Sequence, residues 1–183
     1  MKKIKALTKG LIIVVSLIFL ACNNDLSLQQ FIVKQQEKQD VISFDLSSSL
    51  LAATDKITSQ EDINTLKSIK KINILAYQLT DSTKSRHTSE KQHIKNILKQ
   101  EKYQELIRYG KGNQEAKIYL VGNEEALNEL IVFANSNDLG WLIVRVLGKN
   151  MKPEKIIKVM QQIDFKDTDL NFSKIKNILK NKI

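Results

Sequence analysis

Between Ala116 and Leu147 the chain carries three apolar segments separated by two turn clusters, and this stretch narrows the possible folds most. Ala116, Ile118 and Leu120 alternate with Lys117 and Tyr119, which is the period of a strand with one covered face. Gly122-Asn123 begins a turn, Leu127 to Ala134 reads as a second strand, and Asn135-Ser-Asn-Asp138 is a dense turn cluster. Trp141 to Leu147 is the third strand. Connections this short join only antiparallel neighbours, so the C-terminal half is expected to form a three-strand meander. Pro153, the single proline, suits the first turn of a helix, with Ile156, Ile157, Met160 and Ile163 facing inward.

Upstream, helix and strand signals alternate. Leu28 to Gln39 predicts a short helix. Val41 to Leu46 predicts a strand with Ile42, Phe44 and Leu46 on one face. Ser47 to Ala53 predicts a helix opened by a serine cap. Ser59 stands three residues before Asp62, close to a capping box, and Ile63, Leu66 and Ile69 share one side of the helix that follows. Ile72 to Tyr77 is apolar on both sides, as a central strand should be. Asp81 to His87 reads as a loop. Thr88 to Tyr109 reads as the longest helix, with Ile94, Ile97, Leu98, Leu106 and Ile107 as its stripe and Gly110-Lys-Gly112 as its stop. The fold class expected is α+β: a mixed or antiparallel sheet of about five strands with helices packed on it, ending in the meander and a helix. Residues 28–165 are assigned to a single domain and 166–183 to a polar, partly helical tail with a helical pattern from Phe172 to Leu179.

The front of the chain speaks to location. A basic start is followed by Leu11 to Leu20, an apolar run about half the length needed to span a bilayer, which fits the core of a signal peptide. It ends in Phe19-Leu20-Ala21-Cys22, which resembles the lipobox of bacterial lipoproteins, with Phe19 where leucine is usual. That resemblance implies a signal peptide over 1–21, lipidation of the Cys22 thiol as a thioether, further acylation of the freed amine (palmitate among the acyl groups), and an anchor linker over 22–27. Several acyl chains hold a protein on a membrane far more firmly than one. The chain has one cysteine, so an exported form has no internal disulfide. The segment after Cys22 lacks a dense acidic run, and a periplasm-facing outer-membrane location is expected.

Charge and side-chain chemistry exclude more than they assign. The formal charge is +9, and removing the four lysines before Cys22 leaves +5. Arginine occurs only at 86, 108 and 145, and aromatics are sparse. Lysine-rich faces at 67–71, 95–102 and 174–182 therefore read as solvated or as facing anionic lipid, and no nucleic-acid partner is expected. His87 and His93 are six apart, which points them in different directions on a helix, and no metal site is expected. Ser47 to Ser49 lack a glycine-flanked elbow and a nearby histidine. Glu124-Glu125 and Glu61-Asp62 sit at a turn and a helix start, and Gly110-Lys-Gly112 lacks the spacing of a phosphate loop. No cofactor and no enzymatic activity are expected. Trp141 suggests a core position in a central strand. Arg145 shares its strand face with Trp141 and Ile143, and the two make a candidate partner or ligand surface.

The strand and helix FDLSSSLLA, the helix-strand unit LKSIKKINILAYQL, the segment KYQELIRYGKG before three strands, and the closing KPEKIIKVM together resemble the Bacteroidota lipoprotein family known as domain of unknown function 4252, over residues 30–165. The family has no established catalytic residues. The resemblance implies a small envelope-facing domain with a part in envelope stress or its sensing. The expected function is a lipid-anchored, non-enzymatic interaction module with an envelope protein as partner. The alternative is a periplasmic domain binding a small ligand or peptide around Trp141 and Arg145.

Overall fold

Strand β2 (Ile69–Gln78) organises the molecule because it is apolar on both sides. In a computed structural model, which describes residues 26–47, 49, 57–123 and 126–162, β2 lies inside a six-stranded sheet of order β1-β2-β6-β5-β4-β3. Every neighbouring pair is antiparallel. The other strands are β1 (Val41–Ser47), β3 (Gln104–Lys111), β4 (Gln114–Asn123), β5 (Ala126–Ser136) and β6 (Gly140–Met151). Among the described residues four helices flank them: α1 (Leu28–Gln36), α2 (Gln60–Ser68), α3 (Lys84–Ile97) and α4 (Pro153–Gln162). The leader, Cys22, most of the segment read as a helix over 47–53, and the tail from 163 lie outside the described residues.

The topology follows from one crossover. After β2 the chain runs through α3 to the far edge of the sheet and returns as the meander β3-β4-β5-β6. The last strand of that meander closes against β2, pairing Ile74 with Val144 and Tyr77 with Trp141. Gly140 makes the start of β6 possible. Its φ is +117°, and a Cβ there would collide with the Tyr77 carbonyl oxygen.

The helices begin where the sequence marks them. Ser27 caps α1 through a reciprocal pair: the Gln30 N–H donates to Ser27 Oγ at 3.2 Å, and the Ser27 N–H donates to Gln30 Oε1 at 2.9 Å. The Asp62 N–H donates to Ser59 Oγ at 3.0 Å and opens α2. Pro153 is the first residue of α4.

Two cores result, one on each side of the sheet. The aliphatic face is packed by α2 and α4 around Ile72, Leu130, Val146, Leu66 and Ile156. The aromatic face is packed by α1 and α3 around Trp141, Tyr77, Phe133, Ile94 and Phe31. The α+β class therefore holds, with helices on both faces, but the sheet has six strands. The expected helix from Thr88 to Tyr109 is the source of the difference. It starts earlier, at Lys84, ends at Ile97, and is followed by strand β3. Gly110 and Gly112, at φ +70° and +71°, belong to the β3–β4 hairpin and do not stop a helix.

Candidate functional site

The aromatic face carries the side chains that sequence reasoning singled out. Trp141 is 1% exposed, and its indole stacks on Tyr77 with ring centroids 5.5 Å apart and planes 10° apart. Phe31 of α1 leans on it at 5.9 Å. The indole Nε1–H donates to Glu90 Oε2 at 3.3 Å. Arg145 is also buried, and its guanidinium donates to Glu129 in a two-pronged pair at 2.7 and 3.0 Å and to Gln29 of α1. The two side chains share the face read from the sequence, and both lie beneath α1 rather than on an open surface.

Glu90 is the electrostatic centre of this face. Lys38 Nζ donates to it at 2.7 Å, and Arg86 Nε lies 3.0 Å away, near enough for charge attraction but off-line for a hydrogen bond. Arg86 also pairs with Asp40 and sits over the Tyr77 ring at 5.1 Å. A carboxylate this buried needs such partners, because an isolated charge there would face a large desolvation penalty. The cluster thus pins α3 to the start of β1 and to β6.

His87 belongs to α3 and not to the loop expected over Asp81 to His87. It is buried, stacked on Tyr77 with planes 9° apart, and its Nε2 has no hydrogen-bond partner. Burial, and then the Lys91 charge, push its pKa below the ordinary histidine value, while the Gly140 backbone and the Asn135 side chain pull the other way. His93, on the same helix, faces outward. Among the described residues no three His, Cys, Asp or Glu side chains converge as metal ligands. No helix among them is long and apolar enough to cross a membrane. A polar hollow of about 430 Å³ between α2 and the start of α4 is lined by Asn64, Ser68, Asn150 and Lys152, and Lys155 is tied there to Glu61 at 2.8 Å.

The far edge of the sheet is the opposite case. All eight residues of β3 are exposed, and Leu106, Ile107 and Tyr109 are apolar. Tyr109 is 79% exposed, so nothing in the domain claims its ring. One side of β3 bonds to β4, and the other leaves its backbone N–H and C=O groups unpaired by any strand of this sheet. A bulge between Glu105 and Ile107 interrupts the pairing with β4. Arg108 donates to Glu105 at 2.7 and 2.9 Å, and Lys117 adds a second cation. Sequence reasoning missed this strand because Leu106 and Ile107 extend the helical stripe of Ile94, Ile97 and Leu98. The usable signal was the turn Gly110-Lys-Gly112-Asn113, which fits a hairpin between two strands.

The model of a family described as a domain of unknown function, DUF4252, matches residues 34–159, from within α1 into α4. No curated protein and no solved structure matches the chain.

Proposed function

The chain belongs to the DUF4252 family, and we propose that it is a lipid-anchored protein of the bacterial cell envelope that acts by binding another envelope protein, not by catalysis. The anchor is a lipid on Cys22, which places the domain at the periplasm-facing side of the outer membrane. Sensing of envelope stress is a role such an anchored binder would serve.

One observation carries the binding reading: the fully exposed edge strand β3, with Leu106, Ile107 and Tyr109 unclaimed by the core. An extended segment of a partner would continue the sheet along β3, its backbone bonded to the open edge and its side chains packed on Ile107 and Tyr109. The alternative, a small-ligand groove at Trp141 and Arg145, has less support, because it would require α1 to leave the sheet.

The test is cross-linking in the living cell with a photoreactive residue placed at Lys111. Wild type should capture a partner, and Ile107→Lys with Tyr109→Asp should lose it while the melting temperature stays the same. Capture that survives both substitutions would sink the edge as the binding surface. Cys22→Ala should move the protein out of the membrane fraction after a high-salt wash, and continued retention would overturn the anchor.

A further inference from the structure

Five large apolar side chains stand exposed among the described residues, and they fall in two places. Three belong to the β3 edge. The other two are Leu26 and Val33, at the start of α1 and along it. Phe31 and Ile32 turn the inner side of α1 into the aromatic core. Val33 faces away from that core, and Leu26 stands uncovered just before the Ser27 cap.

The position of Leu26 limits what can lie against it. Cys22 is four residues upstream, and four peptide steps span at most about 14 Å. A lipid on Cys22 therefore keeps Leu26 within that distance of the bilayer surface. The outer side of α2 and α4 lies one sheet and one helical layer away from α1, about 20 Å at the usual layer spacing of about 10 Å. The linker is too short for that side to rest on the membrane.

Charge points the same way. Helices α1 and α3 carry the cations Lys34, Lys84, Arg86, Lys91 and Lys95 against the anion Glu90. With the residues flanking them, from 26 to 40 and from 81 to 103, the count is eight cations to five anions. Helices α2 and α4 carry three of each. Lys34 and Lys84 are exposed and have no carboxylate partner among the described residues, and Lys91 donates to the Asn137 side chain at 2.8 Å. Cations beside exposed apolar side chains settle on an anionic bilayer surface, where the first neutralise phosphates and the second leave water. The polar pins beneath α1 make this contact rigid. Gln29 accepts from Arg145 of β6, and Lys38, just past α1, donates to Glu90 of α3 at 2.7 Å. The helix that the anchor reaches first thus carries the sheet with it.

We infer that the α1–α3 side of the domain rests on anionic phospholipid, with Leu26 and Val33 at the headgroup boundary and Lys34, Lys84 and Lys91 among the phosphates. The inference deepens the lipid anchoring proposed above and rests on it. The aliphatic side then points away from the membrane, and β3 lies at the flank, open to a partner.

Site-specific quenching on vesicles tests it. The lipidated full chain, its Cys22 thiol blocked by the lipid, takes a fluorophore at one introduced cysteine: Val33→Cys on α1, His93→Cys on α3, Lys111→Cys on β3 or Lys158→Cys on α4. The vesicles are phosphatidylethanolamine with phosphatidylglycerol and a headgroup-nitroxide lipid. Quenching at 33 and 93 should exceed that at 158 several-fold. Lys34→Gln with Lys84→Gln should cut quenching at 93 by roughly threefold with the melting temperature unchanged, and so should replacing phosphatidylglycerol by phosphatidylcholine. Equal quenching at all four sites of a membrane-bound chain would overturn the resting surface and leave the anchor standing. Strongest quenching at 111 or 158 would do the same, and quenching indifferent to both the lysines and the anionic lipid would overturn the phosphate contact. A lipidated chain that stays in solution would overturn the anchor and this inference together.

Discussion

Among the described residues fifteen buried apolar side chains sit on each side of this sheet, yet their margins differ. Ten partly buried residues fringe the aliphatic face among the described residues, against Val121 alone on the aromatic face. The aromatic face is closed by large rings and by polar groups that each require a partner in a fixed place: Glu90 with Lys38 and Trp141, Arg145 with Glu129 and Gln29. The aliphatic face uses non-directional packing, which tolerates an open margin. The lesson is that position-specific polar order and loosely fringed aliphatic packing are divided between the two sides of one sheet.

The contrast breaks most readily at Trp141. Trp141→Ala should lower unfolding free energy by about 3–5 kcal/mol in a denaturant titration. Val132→Ala, on the aliphatic side of β5, should lower it by about 1 kcal/mol or less, because part of its surface is already in water. Next in size is the Arg145–Glu129 pair. Glu129→Ala strands a buried guanidinium and should destabilise by about 3 kcal/mol, whereas Arg145→Met with Glu129→Leu should be close to neutral. A third measurement sharpens the contrast through pH. His87 is held neutral, so its contribution to stability is complete above its unfolded pKa of about 6.5 and is lost as pH falls through the lower folded value. The melting temperature should drop as pH falls below about 7, and His87→Phe should flatten that drop. At the alkaline end, burial and then the Glu105 and Glu115 charges push Tyr119 up to about 12, so its contribution fades as pH climbs above about 10. The smallest effect is expected at the sheet edge, where Ile107→Lys should change stability by no more than about 0.5 kcal/mol.

Much of this architecture can be read from the residues, and its limits are physical. Strands β1, β2, β4, β5 and β6 announce themselves because each keeps an apolar period of two or is apolar on both sides. The helices α1, α2 and α4 carry their start signals in Ser27, Ser59 and Pro153. Strand β3 cannot be found by burial period, since both its faces are exposed and its apolar residues happen to continue the stripe of α3. The site is legible only in part. Trp141 and Arg145 fall on one face by alternation alone. That Glu129 meets Arg145 from sixteen positions away, and that Glu90 of a polar helix lies beneath Lys38, depends on register and on which face α3 covers. The same dependence hides His87, whose neighbours Ser82, Lys84 and Ser85 give the segment the look of a polar loop.

The placement of β6 between β2 and β5 also sets an order of assembly. The hairpin-linked strands β3 to β6 can form from near-neighbour contacts, and β1 can pair with β2 across the twenty-one residues that include α2. Joining the two halves requires Ile69 to find Gly148, a closure over nearly eighty residues that carries a large entropic barrier and little reward until it is complete. During synthesis β2 therefore emerges long before its second neighbour exists. Its apolar edge is then open to any other strand in the compartment. A chain built this way is open to wrong pairing during the interval before its last strand arrives, and its yield should fall with expression rate well before its folded stability is at stake.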